Sequence, residues 1–281
     1  VGVAQPAAIV EPLEPATLTD MLDGGWRLLH EQPGTVLALS AMCLVPATVL
    51  AGLASAAVGS DVSSLLTLPG TSGGSSSDVF PLAALLADLL ASAIRSLGVL
   101  YLGVALTHVV TARQWGMRLG ATAAMGSALR RSGAVLGAWP LLAGGSVVAY
   151  AMCFLPLSVW LTFTAVVAPA IAAEGIGPIA AIGRSMRLVG RRFWVAFGVV
   201  LLSSLVATVL TWILTILPSA LAEGLPWGAR WAVNAVAGAL AAMLTAGPLV
   251  TASVLLYLDL RVRTEGLDLR QRATVAFNRA G

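Results

Sequence analysis

The chain has 281 residues, 58% hydrophobic and only 10% charged, with a mean hydropathy of +0.91. A soluble globule carries about 25% charged residues to wet its surface, so this composition excludes one and implies an integral membrane protein. All 16 basic residues are arginine, which removes the lysine that Walker-type phosphate sites and Schiff-base chemistry require.

The net charge of +3 and pI near 9.4 do not point to nucleic acid. The arginines stand in short runs beside apolar stretches, where they act as a topology signal. An arginine-only basic complement also suggests a GC-rich bacterial genome, hence a bacterial cytoplasmic membrane.

Residues 1–34 read as a cytoplasmic N-terminal segment. They carry Glu11, Glu14, Asp20, Asp23 and Glu31 without the apolar core of a secretion signal. Leu18, Met21, Leu22, Gly25 and Leu29 share one helical face, and Asp20, Asp23 and Arg27 the other. Thr17 with Asp20 forms a capping box and Pro33 stops the helix, so an amphipathic helix lies on the membrane ahead of the first span.

Residues 35–258 hold six spans, because a hydrocarbon core of ~30 Å takes ~20 helical residues. Thr35–Val58 is the first and Phe80–Ala112 the second. The uncharged stretch Ser132–Ala173 is long enough for two, with Leu155-Pro156 as the expected hinge. Phe193–Leu217, ended by Pro218, is the fifth, and Trp231–Leu258 the sixth. Pro46 and Gly247-Pro248 predict kinks. The loop 59–79 is Gly/Ser-rich, a mobile connector. Residues 259–281 form a cytoplasmic tail.

Fourteen of the 16 arginines fall on one side of these spans. Positive charge stays in the cytoplasm during insertion, which places both termini there. Two further surface helices are expected on that side. In one, over Trp115–Arg131, Met117, Ala121, Met125 and Ala128 oppose Arg118. In the other, after Pro178, Ile179, Ile182, Met186 and Val189 oppose Arg184, Arg187 and Arg191. Surface helix, span, span thus recurs three times, a degenerate parallel repeat.

Few positions can carry chemistry. Asp88 and Arg95 are ionisable and share one face of span two, with Ser92 between them. That stretch reaches ~46 Å, longer than the bilayer core, so Asp88 is expected near the interface and Arg95 to snorkel outward. His108 belongs near the opposite interface. Asn234 can face Thr208, Thr211 and Thr215 in a hydrogen-bonded seam. Small residues at four-residue spacing (Ala47, Ala51, Ser55, Gly59; Asn234, Gly238, Ala242, Ala246; Gly133, Gly137) suit close helix packing within the bundle or a dimer face, the former preferred. Cys43 and Cys153 sit in apolar runs at different depths and are expected to be free thiols. His30 and His108 have no metal-ligating neighbours in sequence, and there is no Gly-x-Ser-x-Gly elbow, so no cofactor, metal or enzymatic activity is expected. Arg184, Arg187, Arg191 and Arg192 are the candidate contacts to anionic lipid or to a membrane or cytosolic protein partner.

Three stretches carry a resemblance: Leu18 to Trp26-Arg27-Leu28, Glu174-Gly175 through Arg184-Ser185 to Phe193-Trp194, and Tyr257-Leu258-Asp259-Leu260-Arg261-Val262-Arg263 onward to Leu269. Together they resemble the bacterial glycerophosphoryl diester phosphodiesterase membrane-domain family. The resemblance implies a six-span module, but no hydrolase, because the soluble catalytic barrel and its histidine and carboxylate cluster have no counterpart here. The expected function is a non-enzymatic membrane scaffold or accessory subunit working with envelope or lipid-related partners. The alternative is a transporter or channel subunit for a small or lipidic solute.

Overall fold

The structure, a computed structural model, describes residues 17–66, 82–152, 154–224 and 226–265. Among these, the regular elements are helices alone: α1 (Leu18–Glu31), α2 (Pro33–Leu66), α3 (Leu82–Gln114), α4 (Ala121–Leu129), α5 (Ser132–Ala151), α6 (Phe154–Thr164), α7 (Val167–Glu174), α8 (Pro178–Gly190), α9 (Phe193–Ala222) and α10 (Trp227–Glu265). Six stretches are long and apolar enough to cross a membrane: Pro33–Ala54, Leu86–Gln114, Ser132–Ala151, Leu155–Glu174, Phe193–Ala222 and Ala232–Thr264. The chain is an all-α, multi-pass membrane protein. The loop tract around Ser76, the tail beyond Glu265 and Cys153 lie outside the described residues.

Proline explains most departures from the expected boundaries. The turn between spans three and four falls at Met152, and Pro156 sits in the first turn of α6. There its missing N–H removes no intrahelical bond, so it begins a helix and does not hinge one. Pro169 has the same place in α7, and its ring would clash with the carbonyl of Ala165, the residue where the fourth span breaks into α6 and α7. Pro218 does not end span five: α9 runs four residues past it. The helix of the sixth span, α10, runs on past Leu258 to Glu265.

The three short helices differ from expectation in different degrees. In α1, Met21, Gly25 and Leu28 are buried and Asp20, Asp23 and Arg27 exposed, on the capping box expected. The helix expected over Trp115–Arg131 shortens to α4. The N–H of Met117 donates to the Ala112 carbonyl and that of Gly116 to Arg113, a Schellman closure that carries α3 past Ala112 and leaves Met117 exposed. In α8 the buried face is Ala181, Ser185, Leu188 and Val189. Of the expected apolar face only Val189 is buried, and Ile179 is 75% exposed.

Packing follows the order short helix, span, span. Within each set the spans pair: α2 with α3, α5 with α6, α9 with α10. Each short helix lies on the last span of the preceding set: α4 on α3, α8 on α7, and α1, across the length of the chain, on α10. A Cβ at Gly25 would collide with the Pro248 carbonyl, so glycine is what lets α1 approach α10 this closely. Second spans are the inner ones, with α3 packed against both α7 and α10. The small-residue stripes serve internal packing in part. Ala47 and Ala51 are buried, Ala47 lying against Gly98 of α3, and Gly137 faces Pro178. On α10 the buried positions are Ala237, Ala241 and Thr245, one step round from the expected stripe.

Candidate functional site

At the arginine-rich end, charged side chains from four helices meet. Gly175 adopts φ +65 and ends α7, a left-handed residue that glycine takes without steric cost. This leaves Glu174 as the last helical residue, turned toward α8 and α10. Arg184 Nε donates to both its oxygens, at 2.9 and 3.1 Å. The Tyr257 hydroxyl donates to Oε1 at 2.9 Å. Arg261 Nε stands 3.8 Å from the same oxygen, and its Nη1 donates to the Tyr257 oxygen at 3.3 Å. The Arg131 guanidinium lies against Gly175, occupying the space a Cβ there would need.

Midway between Tyr257 and Arg261 on α10, Asp259 is almost wholly buried. It accepts from Arg263 Nε at 2.8 Å and pairs with Arg192 Nη1, at the start of α9, at 3.5 Å. Glu174 thus ties α7, α8 and α10 together, and Asp259 ties α9 to α10. A third junction joins α1 to α3: Glu31 accepts from Arg27 Nε at 2.8 Å and from Arg113 Nη2 at 2.6 Å. Burial pushes the Glu31 carboxyl up, but the hydrogen bond from Arg27 and the charge of Arg113 outweigh it and hold it below its ordinary value. Asp20 is also lowered, first by the Thr17 hydroxyl and then by the Thr17 backbone N–H.

This arrangement divides the four candidate arginines. Arg184 and Arg192 are engaged with Glu174 and Asp259, while Arg187 on α8 and Arg191 at its C-terminal cap are exposed, as are Ile179 and Met186 of the same helix. The candidate intramembrane positions do not converge. Asp88, Arg95 and Asn234 are all exposed on the outside of the bundle. The Asn234 seam does not form, since Thr215 donates instead to the carbonyl of Thr211 in its own helix. His108 is half-buried near the arginine-rich end, with Nε2 unpartnered among the described residues. Cys43 is a free, buried thiol. No group of three His, Cys, Asp or Glu side chains is drawn together among the described residues.

Residue reading from sequence missed Glu174, Tyr257, Asp259, Arg261 and Arg263 as a network. The available signal was a carboxylate at a span end facing arginines of another span end. Glu174, Arg184 and the run from Tyr257 to Arg263 also lie in the stretches that carry the family resemblance. Comparison with protein-family models, with curated proteins and with solved structures gives no match.

Proposed function

We propose that the protein is a non-enzymatic scaffold or accessory subunit of a bacterial cytoplasmic membrane, with the arginine-rich end in the cytoplasm. The observation that carries this reading is the division of labour on α8. Arg184 is spent on holding the bundle together, whereas Arg187, and Arg191 just past the end of α8, stay exposed, with Met186 exposed beside Arg187 and Ile179 exposed at the other end of the helix. A basic and apolar outer face suits anionic headgroups or a partner protein docked at the membrane surface. The transporter alternative would need polar groups around a midplane cavity, and the outward positions of Asp88, Arg95 and Asn234 lend it no support. The closure of α1 onto α10 supports reading the three helix–span–span sets as a degenerate repeat.

The test is lipid and protein retention in mild detergent for wild type and for Arg187→Gln/Arg191→Gln. Each arginine near an anionic leaflet contributes ~1 kcal/mol at low salt, so the double variant should bind anionic lipid or partner about thirtyfold more weakly while remaining folded. Unchanged retention at low salt contradicts the docking role.

A further inference from the structure

The link between short helix and first span is built the same way in the second and third sets. Arg130-Arg131 joins α4 to α5, and Arg191-Arg192 joins α8 to α9. The first arginine of each pair keeps helical dihedrals, φ -65 and ψ -19 at Arg130, φ -72 and ψ -25 at Arg191. The second donates its N–H three residues back, Arg131 to the Ala128 carbonyl and Arg192 to that of Val189. Its own carbonyl accepts from the next span, from Ala134 and Val135 in one case, Val195 and Ala196 in the other. On this shared turn the second arginine reaches inward, Arg131 against Gly175 and Arg192 to Asp259. The first stays outside: Arg130 and Arg191 are exposed and form no ion pair among the described residues. In the first set the same place holds only Gln32.

Both corners stand at one level of the bundle. Arg131 touches Gly175, the residue after Glu174; Arg261 reaches that glutamate, and Asp259, on the same turn of α10, takes Arg192. Helix α5 begins directly after Arg131, and its 20 residues cover ~30 Å, the thickness of the hydrocarbon core, so Arg130 sits at the polar boundary. At the other corner Trp194, the second residue of α9, is 80% exposed, an amphipathic ring of the kind enriched at that boundary. We propose that Arg130 and Arg191 each bind the phosphate of one anionic phospholipid in the leaflet at this end, two equivalent sites with no counterpart at Gln32. A guanidinium presents paired N–H donors that match phosphate oxygens. Two like corners on different sets call for a ligand present in many copies, as lipid is at that depth. For Arg191 the inference rests on the docking role proposed above and narrows its partner to lipid; for Arg130 it stands without it.

The experiment strips lipid from the full chain in mild detergent and adds phosphatidylglycerol or phosphatidylcholine of the same acyl chains at low salt. Native mass spectrometry then counts the bound lipid. Wild type should retain two phosphatidylglycerols under conditions where phosphatidylcholine leaves. Arg130→Gln and Arg191→Gln should each weaken one site about fivefold, and the double variant both. Arg130→Lys and Arg191→Lys should restore most of the binding, because a point charge still attracts phosphate. Arg27→Gln removes the same charge from an exposed position at the same end and should leave the count unchanged. All these side chains are exposed, and helical circular dichroism of each variant checks that it is folded. Equal retention of phosphatidylcholine would mean ordinary surrounding lipid, and an equal loss in Arg27→Gln a diffuse charge effect; either overturns the proposal. So would glutamine variants that lower thermal stability but leave lipid retention unchanged, since a cation at a helix C-terminus also complements the dipole. If Arg191→Gln instead sheds a co-purifying protein with the lipid count unchanged, the docking role stands and its assignment to lipid falls.

Discussion

The two ends of the bundle are built on different physics. At the arginine-rich end, Met21, Leu106, Ile171, Tyr257 and Leu260 are fully buried, and ion pairs join α1 to α3, α7 to α8 and α9 to α10. Toward the other end, α9 exposes Trp212, Ile213, Leu217 and Leu221, and α10 exposes Val236 and Leu240. Burial against water drives the first arrangement. In lipid no such drive acts between helices, so an apolar side chain gains little by turning inward. The arginine-rich end therefore packs like a small water-facing domain, and the other end like helices standing in hydrocarbon.

That contrast is sharpest for substitutions that introduce charge. Leu188→Asp, on the buried face of α8, should cost about 4 kcal/mol, because an unpaired charge enters a packed interior. Ile179→Asp, on the same helix but exposed, should cost no more than ~0.5 kcal/mol. Thermal unfolding in detergent, followed by helical circular dichroism, reads both. Equal effects would mean that the buried face of α8 is wrongly assigned.

Next in size are truncations. Leu106→Ala at the packed end should destabilise by about 3 kcal/mol, and Ile213→Ala at the lipid-facing end by less than ~0.5 kcal/mol. Between these falls Glu174→Gln. Removing the carboxylate leaves Arg184 and Arg261 close together without their counter-charge, at about 2 kcal/mol since the pair is partly solvated. The matched change Asp88→Asn, on the outer face of α3, should be neutral in the same assay.

The smallest effect is on pH. Asp20 and Glu31, at the two ends of α1, both have carboxyls held below their ordinary values of 3.8 and 4.5. Groups with depressed folded values contribute stability above the unfolded value and lose it as pH falls through the folded one. The seat of α1 should thus be unaffected from neutrality down to about pH 5 and loosen below about pH 4. Hydrogen exchange of α1 amides measures this, and Glu31→Gln should abolish part of the pH dependence. Loosening on raising the pH instead would have the wrong sign.

How much of this was legible in the sequence follows from the same contrast. Spans and the capping box of α1 are written in local pattern: charge-free runs, Thr17 with Asp20, and Pro178 opening α8. The Pro156 and Pro218 boundaries were misjudged because proline at a first turn or within a long membrane helix does not break it. The ion-pair layer was hidden because its partners lie far apart in the chain, Glu174 from Tyr257 and Arg192 from Asp259, and only packing brings them together. The face of α8 was misread for a related reason: Ala181 and Ser185 are unremarkable by hydropathy, yet their small size lets α8 seat closely on the bundle, leaving the larger Ile179 outside.

The proposed orientation puts the packed, arginine-rich end in the cytoplasm and the lipid-like end outside. Single cysteines at Arg187 and Glu223, in a background with Cys43 and Cys153 replaced by alanine, place the two ends directly. With a membrane-impermeant maleimide on intact cells, Glu223→Cys should label and Arg187→Cys should label only after the membrane is opened. Labelling of Arg187→Cys from outside, with Glu223→Cys protected, would invert the topology and contradict the account.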